Sequence, residues 1–540
     1  MILVLGRSLG LWLAIATAFS APALMSMRGY AAGRVVLVGV DGAGWPLLDP
    51  LLAEGVLPHL AAVIRDGVHA DLETVSPVNS PTVWTSIATG RSPEVHTITD
   101  FFSTALDRPV PTIFERLAAQ GTRVGLYDYL KTWPPASLQG GFVIPGWTRR
   151  DDSIAPPDAI TRSGYPPAYR YSLAGLRHRG EYLEETAREM RHKAAQWNAL
   201  AASFDIEVGA VTFYSIDARG HRFWLDAFPE QFPEGVRAPE PAHRNVLRDA
   251  AIGIDTALGE IRAVLGPEDT LLLASDHGFQ AGDAEQRIWT SSLDEPLAAV
   301  GLTPGREPFR FVSQFFITLI RVQVGPFAER EALTERLAAV LREASTRAGE
   351  PLYTVDVLDM RERPAGHERS LWNRARQWTI RTAAWWLFDV DFRADAHAYI
   401  LARPDAAVLD PLWPDGEVVF AGKTTPLREI AFADDFTGTH HETAMFAAAG
   451  GPIRAVRERG DLSVLDIAPL IAYLAGAPIP DDLEGQLPTE WLEPDSLESH
   501  PPRSASASSL PTLPPLAAPG EDADGDEALL ERLKAMGYVE

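Results

Sequence analysis

The chain has 540 residues, of which 46% are hydrophobic and 22% charged, with a formal net charge of −25 and no cysteine. Its length exceeds that of a single-core domain, so we expect one large domain with insertions or two domains. The acidic balance argues against a nucleic-acid partner, because that binding needs basic patches that neutralise phosphates. The absence of cysteine excludes disulfides, thiolate zinc sites and a cysteine nucleophile.

The first 30 residues have the pattern of an export signal. Arg7 precedes an apolar stretch from Leu9 to Phe19, and small residues of the cleavage type follow at Ala21-Pro22-Ala23. The apolar character continues to Met25, near the lower length of a spanning helix, so an uncleaved anchor is the alternative. We expect an exported protein, periplasmic or extracellular, or one anchored in a membrane through residues 1–30.

Helix-like and strand-like segments alternate through much of the chain, which predicts an α/β fold with a mostly parallel central sheet flanked by helices. The predicted helices span 45–65, with a break near Leu57-Pro58, and 82–89, 183–204 and 244–264. Two stretches do not follow this alternation of helices and strands. Residues 136–195 are predicted to be an insert, rich in Pro, Gly, Arg and Tyr to about 180, and residues 286–430 an inserted α+β cap.

The remaining core is predicted in three parts, 31–135, 196–285 and 431–492. Residues 493–540 form a Pro/Ser-rich linker, an acidic tail and a short amphipathic pattern that ends as a frayed helix. Within the cap, Leu371 to Leu387 carries four Trp among three Arg, with one apolar helical face. Such a helix either packs within the cap or makes peripheral contact with a membrane.

Three aspartates each follow an apolar run that predicts a buried strand. The runs begin at Val35, Val208 and Thr270, and they lead to Asp41, Asp217 and Asp276. Ligands of open α/β sheets bind beyond the carboxyl ends of the strands. Taken singly, each aspartate also fits a helix cap or a turn.

Histidines accompany these acids. His221 lies four residues after Asp217, on the same helical face, which by itself also fits a surface salt bridge. His277 follows Asp276, and Gly278 permits the turn that brings both side chains to one centre. A predicted loop, 437–441, adds two more histidines, His440 and His441. Jointly the pattern predicts two clusters suited to zinc or manganese: Asp41 with Asp276 and His277, and Asp217 with His221 and His440.

A hydroxyl-rich segment, 76–86, precedes a predicted helix and offers a nucleophile. At a helix N-terminus Ser80 would be helped by the dipole and by free backbone N–H groups that also cradle a phosphoryl oxygen. The alternative is that Ser80 merely caps the helix, with Pro81 at its first position. Asn79 and Thr82 are weaker candidates for contact with the substrate or its oxyanion.

These motifs, in this order, resemble the alkaline phosphatase superfamily, and within it the type I phosphodiesterase/nucleotide pyrophosphatase family. The resemblance covers about 34–135, 196–285 and 431–490. The motifs that carry it lie at 36–42, 57–60, 80–90, 93–96, 217–221, 275–278, 438–440 and 464–469.

The resemblance implies an alkaline-phosphatase-like fold, two divalent metal ions (zinc, with manganese as the alternative) and Ser80 as the nucleophile of a phosphoserine intermediate. His440 is preferred to His441 because it stands two residues after Gly438, as in the family. His59 and His96 are then structural. The implied ligands are Asp41, Ser80, Asp276 and His277 for one ion, and Asp217, His221 and His440 for the other.

We therefore predict an exported phosphodiesterase or phosphatase that acts on a phosphorylated small molecule or a lipid head group. The alternatives are a non-catalytic protein that binds phospho-ligands, a phosphomutase and a head-group transferase of the same superfamily. A sulfatase is disfavoured, because the residues around Ser80 lack its modification motif.

Overall fold

The computed structural model describes residues 33–516, except for 360–395 and short gaps at Phe102, Arg150, Pro167, 173–178, 235–238, 283–286, 314–317 and 413–414. The N-terminal signal pattern, the Trp-rich pattern at 371–387 and the C-terminal helical pattern lie outside the described residues.

The described strands form one large sheet and several small ones. In chain order they are β1 Val35–Val40, β2 Gly67–Glu73, β3 Val124–Tyr129, β4 Phe142–Pro145, β5 Val208–Phe213, β6 Thr270–Ala274, β7 Gly278–Ala281, β8 Arg287–Ser291, β9 Phe309–Ser313, β10 Thr318–Gln323, β11 Ser345–Thr346, β12 Tyr353–Asp359, β13 Ala396–Pro404, β14 Glu417–Phe420, β15 Lys423–Pro426, β16 Ala431–Asp435, β17 Gly438–His441, β18 Thr443–Gly450, β19 Gly460–Ser463, β20 Ile479–Pro480 and β21 Ser504–Ala505.

The described α-helices alternate with these strands. They are α1 Trp45–Ala53, α2 Pro58–Asp66, α3 Ser80–Thr89, α4 Pro93–His96, α5 Ile113–Ala119, α6 Ala159–Ser163, α7 Arg179–Ser203, α8 Ser215–Ala227, α9 Val246–Arg262, α10 Asp294–Ala298 and α11 Phe327–Glu343, followed by Ala406–Leu409, Ile467–Leu474 and Pro494–Ser499.

The central sheet has eight strands in the order β19-β2-β18-β6-β1-β5-β3-β4. Strands β6, β1, β5, β3 and β4 are mutually parallel, whereas β18 runs antiparallel to both β6 and β2. All six residues of β1 are buried, as expected for a central parallel strand covered by helices on both faces. The prediction of an α/β fold with a mostly parallel sheet is confirmed.

Alternate residues of β1 enter two different cores. Val35 and Leu37 pack with α3 and α5 on one face, while Val36, Val38 and Val40 pack with α7 and α9 on the other. The period of two along a strand places successive side chains on opposite faces. The near-continuous apolar run therefore stabilises both layers of helices at once.

The predicted helices are found within a few residues of their expected bounds, including the break between α1 and α2. Pro58 begins α2, where a missing N–H costs no helical hydrogen bond. Two predictions need correction. The loop expected at 437–441 is strand β17 from Gly438 onward, because it pairs with β7. The insert at 136–195 supplies β4, which extends the central sheet by pairing with β3.

Residues 286–430 contain sheets of their own, β12-β13-β10-β9 and β11-β14-β15. A separate apolar core lies between this region's strands and α11, which contributes Leu333, Leu337 and Leu341. Among the described residues no single helix combines the length and apolar composition needed to cross a membrane, although the bent pair α1 and α2 has them jointly.

His96 gives the fold a sensitivity to acid that can be measured. It is fully buried, its Nδ1 accepts from Ile98 N, and its Nε2 lies 2.8 Å from Ser86 Oγ. Burial, aided by the positive charge of Arg108, lowers the pKa of His96 to about 4. Between pH 6.5 and 4 the unfolded chain therefore takes up a proton that the folded chain refuses.

We expect the free energy of unfolding to fall by about 3 kcal/mol over that interval because of His96 alone. Urea unfolding at several pH values, compared with His96→Gln, measures this contribution. The loss should be absent from the variant, whose amide still donates to Ser86 but does not titrate. Parallel pH profiles for the two proteins would contradict the assignment.

Candidate metal centre

The three aspartates of the predicted site lie at one edge of the central sheet. Asp41 directly follows β1, Asp276 follows β6 by one residue, and Asp217 lies in the first turn of α8, just beyond β5. Because β6, β1 and β5 are adjacent and parallel, their carboxyl ends meet. A hydrogen bond of 3.2 Å from Asp217 N to Asp41 O joins the two loops directly.

The first predicted cluster is assembled and fully buried. Ser80 Oγ lies 3.3 Å from Asp41 Oδ1 and 3.4 Å from His277 Nε2. His277 Nε2 lies 3.3 Å from Asp276 Oδ2. Ligand-type atoms of Asp41, Asp276 and His277 all lie within 4.8 Å of one another.

The second predicted cluster is equally compact. Asp217 Oδ1 lies 3.4 Å from the Nε2 atoms of both His221 and His440, and those two Nε2 atoms are 3.2 Å apart. Asp217 is fully buried, whereas the side chains of His221 and His440 are 10% and 14% exposed. The centre therefore approaches solvent on the imidazole side.

The two clusters are contiguous. His277 Nε2 lies 3.9 Å from Asp217 Oδ1, and the rings of His277 and His440 stack with centroids 3.6 Å apart. The structure also groups Asp217, His277 and His440 within ligand distance of one another. The seven predicted side chains thus form one connected set.

All three imidazoles have the same orientation. Each places Nδ1 near a backbone carbonyl, at 3.2 Å from Gly438 O for His221, 3.1 Å from Gly278 O for His277 and 2.8 Å from Val78 O for His440. A proton on Nδ1 satisfies these carbonyls and leaves the Nε2 lone pairs facing the carboxylates. Metal-ligating histidines are held in this way.

The carboxylates are electrostatically frustrated without a cation. Burial, together with the charges of neighbouring carboxylates, raises the pKa of Asp41 well above its usual value and that of Asp276 to about 7. Burial also opposes ionisation of Asp217, but His221 and His440 outweigh it and lower its pKa. Among the described residues no donor reaches Asp217 Oδ2 or Asp276 Oδ2. Buried acceptors without donors fit a site for divalent cations.

Ser80 is presented to the centre by the cap of α3. Asn79, rather than Ser80, is the N-cap residue, and its Oδ1 accepts from Thr82 N at 3.0 Å and from Thr82 Oγ1 at 2.7 Å. The Asn79 amide nitrogen donates to Thr99 O. These bonds engage the side chains of Asn79 and Thr82 within the cap. The hydroxyl of Ser80 faces Asp41 and His277 instead of closing the helix.

Supporting contacts appear that the sequence interpretation missed. Trp84 Nε1 donates to Asp41 Oδ2 at 2.9 Å, and Ser275 Oγ accepts from Ala43 N while donating to His277 O. The ring of Phe279 packs against His221, His277 and His440. Trp84, Ser275 and Phe279 all stand within four residues of a predicted site residue, and this proximity is the signal that the sequence offered.

Three other histidines, His441, His59 and His96, make contacts outside the two clusters. His441 accepts from Thr443 N through its own Nδ1. His59 packs against Gly259 of α9, on a helical layer away from the strand ends. His96 contacts Ser86, two turns along α3 from Ser80.

Residues 35–298 match the model of the type I phosphodiesterase/nucleotide pyrophosphatase family. This part of the chain belongs to that family. The prediction made from the motif order is confirmed, and with it a hydrolase of phosphoric ester bonds. The matched residues include every predicted metal ligand except His440, which the fold brings back to the centre on β17.

No curated protein matches the sequence. Solved structures with a similar arrangement include murine ectonucleotide pyrophosphatase/phosphodiesterase 5, at 17% identity over 85% of this chain and 100% of that chain, with a TM-score of 0.40. The human protein of the same name matches at 16% identity over 84% and 97%, with a TM-score of 0.37. An inactive variant of the murine protein in complex with AMP matches at 18% identity over 83% and 96%, with a TM-score of 0.37. At these scores the likeness adds nothing to the assignment, which depends on the family model.

Proposed function

We propose that this chain is an exported, metal-dependent phosphodiesterase or phosphatase with Ser80 as its nucleophile. The observation that carries the proposal is the set of three buried carboxylates and three Nε2 atoms gathered around the Ser80 hydroxyl. Carboxylate oxygens without donors, next to imidazoles oriented by carbonyls, have the chemistry of a site for two divalent ions. Zinc suits this donor set, with manganese as the alternative.

The resemblance to the family divides the residues between the two ions. Asp41, Ser80, Asp276 and His277 would hold one ion, and Asp217, His221 and His440 the other. Bound ions supply positive charge that stabilises the attacking and leaving oxygens of a displacement at phosphorus.

Ser80 performs the covalent step. Its Oγ gives up its proton to solvent and forms the new bond to phosphorus while the bond to the leaving-group oxygen breaks. That oxygen departs with the electron pair and takes up a proton from solvent. Water then cleaves the Ser80–phosphorus ester, which returns the hydroxyl and releases the phosphate product. Ser80 opens α3, so the positive end of the helix lies beside the developing charge.

The substrate class follows from the centre and the surface. With a net charge of −25, the protein attracts a small anionic ester only where cations reverse the local field. A lipid head group is one such ester. In support of peripheral membrane contact, Val324 and Phe327 are 57% and 63% exposed at the turn between β10 and α11.

Hydrolysis of para-nitrophenyl monoesters and diesters tests the proposal. The protein is stripped of metal by chelation and then reconstituted with Zn²⁺ or Mn²⁺. Activity should be absent after stripping and restored by one of these ions, and the ratio of the two rates separates a phosphatase from a phosphodiesterase. If neither ion restores hydrolysis, the result would favour the alternative, a non-catalytic protein that binds phospho-ligands. Export is tested by fusing residues 1–30 to a reporter that is active only outside the cytoplasm.

Cation binding should also stabilise the fold. Ions bind the folded centre and relieve the repulsion among Asp41, Asp217 and Asp276, so saturating Zn²⁺ at 100 times its Kd adds about 2.7 kcal/mol per site. Calorimetry of the stripped protein, with and without Zn²⁺, measures the rise in Tm. Asp217→Asn should lose part of that rise, and a Tm independent of added ion would contradict the metal site.

A further inference from the structure

Thr437 joins the two segments that carry His221 and His440. It is 1% exposed and lies between Phe436 and the first residue of β17. Its backbone N donates to His221 O at 2.7 Å, and its Oγ1 accepts from Leu225 N at 3.0 Å. In a regular helix Leu225 N–H bonds to His221 O. Thr437 therefore engages both ends of one helical hydrogen bond of α8.

The contact between α8 and β17 is unusually close. His221 Nδ1 lies 3.2 Å from Gly438 O, which adds a third hydrogen bond between the two segments. A Cβ placed on Gly438 would lie 2.2 Å from Gly220 O, so only glycine permits this approach. The position of Thr437 thus fixes α8 against the chain that reaches His440 three residues later.

The separation of the two imidazoles suits a shared ion. Their Nε2 atoms lie 3.2 Å apart. Two nitrogen ligands about 2.1 Å from one tetrahedral ion are about 3.4 Å apart. The hydroxyl of Thr437 supports one of these ligands from the helix side, and its backbone leads directly to the other. A small shift between α8 and β17 would therefore change this distance.

We propose that Thr437 is a positioning residue whose hydroxyl, through Leu225 N–H, holds His221 and His440 at the separation that binds a divalent ion. The inference rests on the proposed function, because it deepens the role of the Asp217, His221 and His440 half of the centre. A residue that only closes the chain between β16 and β17 would not alter metal affinity selectively.

The test compares three variants of the full chain. Thr437→Val removes the acceptor and keeps the shape, Thr437→Ser keeps the hydroxyl, and Thr439→Val makes the same change at an exposed position on β17. Zn²⁺ affinity is measured by competition with a chromophoric chelator. We expect Thr437→Val to lower the affinity for one of the two ions by about 10- to 100-fold. Thr437→Ser and Thr439→Val should bind both ions as the wild type does.

Two results would overturn the inference. One is wild-type affinity for both ions in Thr437→Val. The other is an equal loss in Thr437→Val and Thr437→Ser, which would remove the hydroxyl as the cause. If Thr437→Val does not fold, Thr437→Ala is judged by the same criteria, because it removes the acceptor and adds no group.

A metal-free measurement separates this inference from the proposed function. Amide hydrogen exchange over 221–227 and 438–441 should be faster in Thr437→Val than in the wild type and normal in Thr437→Ser. If the wild type binds no divalent ion, the proposed function fails, and so does the metal-positioning role of Thr437. Faster exchange in Thr437→Val alone would then preserve only the coupling of α8 to β17. Unchanged exchange would overturn the coupling as well.

Discussion

The Ser80→Ala variant should lose hydrolysis of both monoesters and diesters by at least about a thousand-fold, because it removes the oxygen that attacks phosphorus. Ser80 Oγ is held between Asp41 Oδ1 and His277 Nε2, at 3.3 and 3.4 Å. The change removes one buried hydroxyl and leaves the cap formed by Asn79 in place. Binding of Zn²⁺ should therefore weaken far less than turnover.

Steady-state kinetics of the Zn²⁺-loaded protein measure this loss, and acid quenching followed by mass spectrometry looks for the phosphorylated serine. Ser86→Ala is the matched control, because it removes the same group from the same helix but contacts His96 rather than the centre. Its activity per folded molecule should stay close to that of the wild type. Full activity in Ser80→Ala, or a phosphate trapped on another residue, would refute the assignment.

The Lys193→Met variant should lose about 3–5 kcal/mol of unfolding free energy. Lys193 Nζ lies 2.5 Å from Glu189 Oε1, 3.0 Å from Asp128 Oδ2 and 2.7 Å from Thr212 O, and all three charged side chains are fully buried. Without the ammonium group, Asp128 and Glu189 remain buried and lose the ion-pair partner that they share. Removing one partner of a buried ion pair is costly for this reason.

This network also contacts the helix that carries part of the candidate metal centre. Glu189 accepts from Tyr214 N and from the Ser215 hydroxyl, at the start of the helix that carries Asp217. Denaturant unfolding of the metal-free protein measures the loss. Lys423→Met, an exposed lysine on β15, is the control and should change stability by less than about 0.5 kcal/mol.

Adding Glu189→Gln to Lys193→Met should recover part of the stability, because it removes one of the two buried charges that have lost their ion-pair partner. A double variant less stable than the single one would show that hydrogen bonds to Tyr214 and Ser215, rather than charge, dominate the network.

Most residues of the candidate centre could be predicted from the sequence, because they stand in local patterns. An apolar run of six residues followed by Asp41 predicts a buried strand whose end presents an acid, and the structure contains both. The spacing of Asp217 and His221 predicts one helical face, and both lie on α8. The family motifs then assigned Ser80 and His440, which periodicity alone left open.

The buried network around Lys193 could not be predicted in this way. Its members come from β3, α7 and the start of α8, and nothing in their local sequence distinguishes a buried lysine from an exposed one. The same holds for Thr437, whose contact with α8 joins residues more than two hundred positions apart. The strand at 438–441 was missed because its partner β7 is also distant in sequence.

The sequence by itself determined the class of fold, the residues of the candidate site and their order along the chain. Apart from Ser80 and His440, which the family motifs assigned, these depend on hydrophobic periodicity and on residue type, which are local. Only the tertiary structure decided that His277 lies between the two clusters, that the imidazoles share one orientation, and that β17 reaches α8 through Thr437 and Gly438. Those features depend on distances between segments, and such distances are set by the packing of the whole sheet and its helices.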